Sequence, residues 1–212
     1  MKFCVIGLGR LGYQLATGLA EHGMEVMAVD SNESIIASIR DHVTQAICMR
    51  ITDEASLRSI GIEEIDTVIV AVGENFSQSI LITVLLKKLK VPRVITRAIN
   101  NIHKDILKLV GADEVILPER QVGIALADRL STPFTDLSRL TNDFSVGQFS
   151  APAKFVGKTV ADLDIYQKYN VKFIGIKRGD EIVTTARDYV ITKNDKIILA
   201  GKNTDLKKIT RL

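Results

Sequence analysis

The chain has little of what several kinds of protein need. It holds two cysteines and three histidines, and its net charge is only +3. No basic cluster is denser than Lys87-Lys88, so the electrostatic footprint of a nucleic-acid binder is missing and no nucleic-acid partner is expected. The longest uncharged apolar run lies near Ser79 to Leu86, far short of the roughly 20 residues a membrane helix requires. No basic stretch followed by an apolar run precedes the first strand, which argues against a signal peptide. A soluble, cytosolic chain is expected.

Cys4 and Cys48 each lie in an apolar run that reads as a buried strand. In the usual doubly wound order another strand separates those two, which puts them about 9 to 10 Å apart, beyond disulfide reach. Both are expected to pack in the core. His22 and His42 fall at helix ends, remote from the C-terminal ends of the strands, and read as surface residues. His103 follows the fifth strand, where it can reach the phosphate or ribose of a nucleotide. Beyond Leu130 there is neither histidine nor cysteine, and no Ser/His/Asp set, HExxH or CxxC pair occurs. A hydride-transferring enzyme needs a positioned acid or base beside its cofactor, so no enzyme is expected.

What is present is an ordinary folded composition, 46% hydrophobic and 25% charged. Up to about Leu130 short apolar runs alternate with helical patterns. Strands are expected at Lys2–Ile6, Glu25–Val29, Ala46–Met49, Thr67–Val72, Val94–Arg97 and Glu114–Leu117. Between them fall helices: one through Leu11, Leu15 and Leu19 that ends near Gly23, then Asn32–Asp41, Asp53–Ile60, Ser77–Lys90 and Ile102–Val110. Gly61 and Gly111 stand as C-terminal caps. The run TVIVAV is apolar throughout, as befits a central parallel strand covered on both faces. Pro118 opens a last helix, to about Leu130. Six strands with right-handed crossovers predict a Rossmann-like α/β fold, a doubly wound parallel sheet of order 3-2-1-4-5-6.

The alternation breaks at Ser131-Thr132-Pro133. Residues 131–141 read as a connector, and 142–212 as a small α+β lobe. That lobe is expected to hold strands at Ser145–Ser150, Val171–Lys177, Glu181–Thr185 and Lys196–Ala200, with one or two brief helices between Thr159 and Tyr169. A closing helix would run from an N-cap at Thr204 towards Leu212. A lobe this small buries a thin core and gains stability by pairing with a copy of itself.

The first strand feeds directly into Gly7-Leu8-Gly9-Arg10-Leu11-Gly12. In a GxGxxG turn the first glycine permits the bend, the second lets backbone approach a pyrophosphate, and the third lets helix press on strand. The helix N-terminus adds free N–H groups and a positive dipole. Asp30 closes the second strand, where a carboxylate accepts from both ribose hydroxyls and repels a 2′-phosphate; an N-cap for the following helix is its other available role. Arg10 adds a permanent cation to the glycine loop. It suits a terminal phosphate such as that of ATP, or a neighbouring subunit, or it is a solvated helix-start arginine.

The stretches FCVIGLGRLGYQLATGLAEHGMEVMAVDSN, DTVIVAVGENFSQS and VGADEVILPERQVG resemble the regulatory subunits of Trk/Ktr-type potassium uptake systems, which are cytosolic RCK proteins. The likeness runs over the whole chain, with residues 1–130 as the N-terminal RCK lobe and 142–212 as the C-terminal one. It implies a sensor: dimers assembled into an octameric ring, ATP, ADP or NAD(H) bound between neighbours, and gating of a membrane potassium-translocating subunit at the inner face of the cell membrane. By position the family's nucleotide contacts fall on Gly9, Arg10 and Leu11, then Asp30, Ser31 and Asn32, then Arg50 and Ile51. They continue at Val72, Gly73 and Glu74, and at Arg97, Ala98 and His103. Glu119 matches a glutamate that can hold a divalent cation, Mg or Ca, near the phosphates; an acid in a first helical turn also favours the dipole by itself.

Arg50 departs from the small Asp or Asn usual in the family, which accepts from the adenine amino group, whereas arginine only donates or stacks. Arg97 keeps the charge of the family's usual lysine. Some members bind cyclic di-AMP across a dimer of C-terminal lobes; here Tyr166 replaces a basic residue common in those binders, and Ala186 falls near a proline they often carry. A small NAD-dependent oxidoreductase, and an RCK regulator of another cation channel or exchanger, are the alternatives.

Overall fold

The computed structural model describes residues 1–73, 75–131, 134–184 and 187–209. The chain divides into two compact units, Met1–Arg120 and Gln121–Leu212.

The first unit is built on strands β1 (Lys2–Ile6), β2 (Glu25–Asp30), β3 (Gln45–Cys48), β4 (Thr67–Val70), β5 (Arg93–Arg97) and β6 (Glu114–Ile116). All pair in parallel, in the order β3-β2-β1-β4-β5-β6. The doubly wound order read from the sequence is the one observed. Helices α1 (Arg10–Glu21), α2 (Glu33–Ile39), α3 (Glu54–Ser59), α4 (Phe76–Lys88), α5 (Asn101–Leu109) and α6 (Pro118–Ser131) follow the strands in turn.

Because successive side chains of a strand point to opposite faces, β1 contributes to two cores. Cys4 and Ile6 pack with Val68, Val70, Leu57, Ile82 and Leu86, while Val5 packs with Ala28, Ile69, Ala16 and Ile36. All four residues of β4 are buried, as its two-sided cover demands. Gly61 adopts φ +72° and Gly111 φ +97° just past their helices, the left-handed stops expected of them.

The cysteines lie on β1 and β3 with β2 between, and both are free. Cys4 is fully buried, and burial pushes its thiol up to about 12. Cys48, expected in the core, is exposed. It ends β3, the outermost strand, where no further strand covers it.

The second unit holds α7 (Val160–Leu163), α8 (Ile165–Tyr169), α9 (Asn203–Ile209) and a five-stranded antiparallel sheet. Its strands are β7 (Phe134–Arg139), β8 (Phe144–Ser150), β9 (Lys172–Arg178), β10 (Glu181–Val183) and β11 (Lys196–Lys202), in the order β10-β9-β11-β8-β7. Phe149, Ile176, Ile197, Leu199 and Leu206 form its core. Two expectations change. The stretch read as a connector carries β7, an edge strand whose pairing with β8 slips between Phe134 and Asp136, and this irregularity spoils the two-residue period. Thr204 is not the cap of α9 but lies inside it, because the helix starts at Asn203 directly after β11. Residues 210–212, the expected end of that helix, lie outside the described residues, as does Thr185; the strand expected to reach it, β10, ends at Val183.

Candidate functional site

The glycine loop is shaped by contacts that only glycine allows. Gly7 has φ +90°, and a methyl built on it would lie 3.0 Å from the backbone nitrogen of Val72. On Gly12 a methyl would lie 1.9 Å from the Gly7 carbonyl oxygen, so α1 starts against the turn that precedes it. Gly9 is different: nothing of the protein lies within 4 Å of its would-be side chain. It stands at the N-cap of α1 with no side-chain cap bond, which leaves the first-turn N–H groups open to a ligand.

Asp30 faces this loop from the end of β2. Its Oδ2 accepts from Leu8 N at 2.6 Å and its Oδ1 from Asn32 N at 2.8 Å. A carboxylate oxygen has two lone pairs, so each retains one for a ribose hydroxyl. The helix-cap role belongs instead to Asn32, whose side chain accepts from Ser34 N and Ile35 N.

A cleft of about 720 Å³ opens above these C-terminal strand ends. It gathers Gly7, Gly9, Arg10 and Leu11 from the loop, and Asp30, Ser31 and Asn32 after β2. Arg50 and Ile51 join it after β3, Val72 and Gly73 after β4, Arg97 at the end of β5, and Glu119 in the first turn of α6. Gly12 lies beneath the loop and not on the cleft wall. Ala98 is fully buried and is not among the lining residues. Glu74 lies outside the described residues. Sequence reasoning missed Asn75 and Gln78, which also line the cleft; the signal was Asn75 as the N-cap of α4, accepting from Gln78 N at 3.0 Å.

His103 does not line the cleft. It is 1% exposed, its ring packs on Phe76 with centroids 4.3 Å apart, and its Nε2 lies 2.8 Å from Ser79 Oγ. Ile99 N donates to its Nδ1 at 3.4 Å and Ser79 Oγ donates to Phe76 O at 3.0 Å. This chain of bonds requires a neutral ring with its proton on Nε2. Burial lowers its pKa to match. His22 and His42 are exposed, as read from the sequence.

Three arginines reach the cleft. Arg10 and Arg50 are exposed, and Arg97 donates through Nη2 to Glu119 Oε1. The backbone N–H of Glu119, and then Arg97, hold its carboxyl below the ordinary glutamate value. No group of three or more His, Cys, Asp or Glu able to hold a metal occurs among the described residues. Glu119 alone would therefore meet a cation only together with ligand phosphates, as Mg²⁺ is commonly held. On the second unit Tyr166 is 54% exposed on α8, while Ala186 lies outside the described residues.

A parallel sheet ending in a glycine turn, an uncapped helix start and a strand-end carboxylate is the architecture of a nucleotide-binding Rossmann lobe. Comparison with known proteins narrows the class. The TrkA-N domain family matches residues 3–118 and the TrkA-C domain family residues 148–212. The Ktr system potassium uptake protein C of Bacillus subtilis (strain 168) is 36% identical, over 99% of this chain and 96% of that protein. Ktr system potassium uptake protein A of the same organism is 35% identical, over 98% and 94%.

Among solved structures, the GsuK RCK domain superposes with a TM-score of 0.69 at 18% identity, covering 99% of this chain. The chain spans 47% of that longer protein. GsuK bound to ADP superposes on 61% of this chain and 33% of its own, with a TM-score of 0.52 at 28% identity. The chain belongs to the TrkA-N/TrkA-C family of Trk/Ktr-type potassium uptake regulatory proteins.

Proposed function

We propose that this chain is the nucleotide-sensing regulatory subunit of a potassium uptake system. ATP, ADP or NAD(H) enters the cleft with its phosphates on the glycine loop and its ribose on Asp30. The observation that carries this reading is the prepared carboxylate of Asp30, pinned by two N–H groups and facing an uncapped helix start, in a chain aligned almost end to end with Ktr proteins. Bound nucleotide acts by favouring one arrangement of the assembled subunits over another, and it shifts that balance only by its difference in affinity for the two. Arg10 reads the terminal phosphate and so separates ATP from ADP.

The first lobe, residues 1–130, forms the ring, built as dimers assembled to an octamer. Residues 142–212 serve as a dimerisation lobe, and cyclic di-AMP is tested there as a second ligand. The ring works at the inner face of the cell membrane against a potassium-translocating subunit. Among the described residues no helix is long and apolar enough to cross a membrane itself. A divalent cation is shared between Glu119 and the ligand phosphates. The sensor reading is favoured over an oxidoreductase because His103, the histidine nearest the strand ends in sequence, is committed to Ser79 and Ile99 away from the cleft.

The test is calorimetric titration with ATP, ADP, NADH and cyclic di-AMP, with and without magnesium, alongside mass measurement of the oligomer. Saturable binding of an adenine nucleotide to an oligomer is expected. A monomer that takes up none of them would overturn the proposal.

A further inference from the structure

Arg97 is the one cleft arginine whose place is fixed by packing. The Nη1 end of its guanidinium approaches Gly73 so closely that a methyl on Gly73 would come within 1.6 Å of Nη1. Its side chain is 22% exposed, whereas that of Glu119 is 67% exposed. Nε of Arg97 is buried with no hydrogen-bond partner among the described residues, while Nη2 is held by Glu119. Among the described residues this mostly buried guanidinium thus has one carboxylate partner, which itself stands mostly in water.

A guanidinium takes carboxylates and phosphates in the same fork geometry. Glu119 therefore occupies the position that a ligand phosphate would seek. We propose that Glu119 competes with the ligand's terminal phosphate for Arg97, holding the arginine until a nucleoside di- or triphosphate displaces it. This rests on the nucleotide reading of the cleft and adds to it which residue the phosphate must dislodge.

Charge decides the direction of the exchange. A terminal phosphate carries about −1.5 to −2 at pH 7, against −1 for the carboxylate. The internal phosphodiester groups of NAD carry −1 each and gain nothing by the swap. Arg97 is the more buried of the pair and is packed closely against Gly73, whereas the Glu119 side chain stands mostly in water. Glu119 is the partner that moves. On leaving it remains ionised in the first turn of α6, where its own N–H and the helix dipole favour a negative charge. The exchange is consequently felt at the start of α6, the helix within which the chain passes from the first unit to the second.

The experiment is a double-mutant cycle on the full chain, read by calorimetry with ATP and with NAD in the presence of EDTA. Glu119→Gln removes the competitor and should tighten ATP binding at least threefold. Arg97→Ala should weaken ATP at least fivefold and leave NAD within twofold; Arg97→Gln serves if the alanine variant melts early. In the Arg97 variant, adding Glu119→Gln should change ATP affinity by less than twofold, since the contested group is gone. The proposal is overturned if Glu119→Gln leaves ATP affinity unchanged or weakens it. It is equally overturned if Glu119→Gln tightens ATP as much without Arg97 as with it, which would be general charge repulsion. Failure of the wild-type chain to bind any nucleotide would instead sink the reading of the cleft itself.

Discussion

Replacing Asp30 by alanine tests the site most directly. The carboxylate makes two backbone bonds, to Leu8 N at 2.6 Å and Asn32 N at 2.8 Å, and keeps one lone pair on each oxygen for the ribose. A hydrogen bond to a charged group contributes about 1.5 to 3 kcal/mol. Loss of one ribose bond therefore costs at least tenfold in affinity, because about 1.4 kcal/mol is a factor of ten. Loss of both is expected to exceed about a hundredfold, and freeing Leu8 N loosens the loop that carries Gly9. Asp30→Asn should be no better than Asp30→Ala. Its amide has one oxygen where two N–H groups must be accepted, so its NH₂ is turned against one of them. The assay is calorimetric titration with ATP and NADH, with circular dichroism to confirm folding. A folded Asp30→Ala chain whose affinities stay within twofold of wild type would refute the ribose assignment.

Three further outcomes follow from the same geometry. Arg10→Ala should narrow the difference between ATP and ADP in affinity and in oligomer response; a variant that separates them fully removes Arg10 from phosphate sensing. His103 is held neutral by burial, so the unfolded state binds more protons once the pH falls below the ordinary histidine value of 6.5, and stability should fall from there down to the lowered native pKa. Urea titrations of wild type and His103→Gln between pH 7.5 and 5 should show this extra loss in the wild type alone, and parallel curves would contradict it. Asp195→Ala should destabilise the second unit by about 2 to 3 kcal/mol, since it strips a fully buried carboxylate that accepts from Arg178 Nε, Tyr189 OH and Thr192 N. A melting point unchanged from wild type would count against that network.

The parallel sheet was legible because its signals are local. Thr67–Val70 is apolar without interruption since both faces are covered, and Gly61 and Gly111 mark helix ends through their own φ angles. The loop and Asp30 were legible for the same reason: a tight turn and a strand end are properties of a few consecutive residues. β7 was not, because a register slip breaks the two-residue period on which strand recognition depends. Cys48 was misread because an apolar run does not tell whether its strand is inside the sheet or at its edge.

The sequence by itself determined the order of elements, the crossover topology and the chemistry available at the strand ends, since hydrophobic period, turn residues and chain connectivity set all three. Tertiary structure alone decided what each polar side chain does once it is there. His103 is joined to Ser79, Arg97 to Glu119, and Asp30 to Leu8 across gaps in sequence that no periodicity spans. A hydrogen bond depends on distance and direction in space, and folding is what brings those atoms into reach.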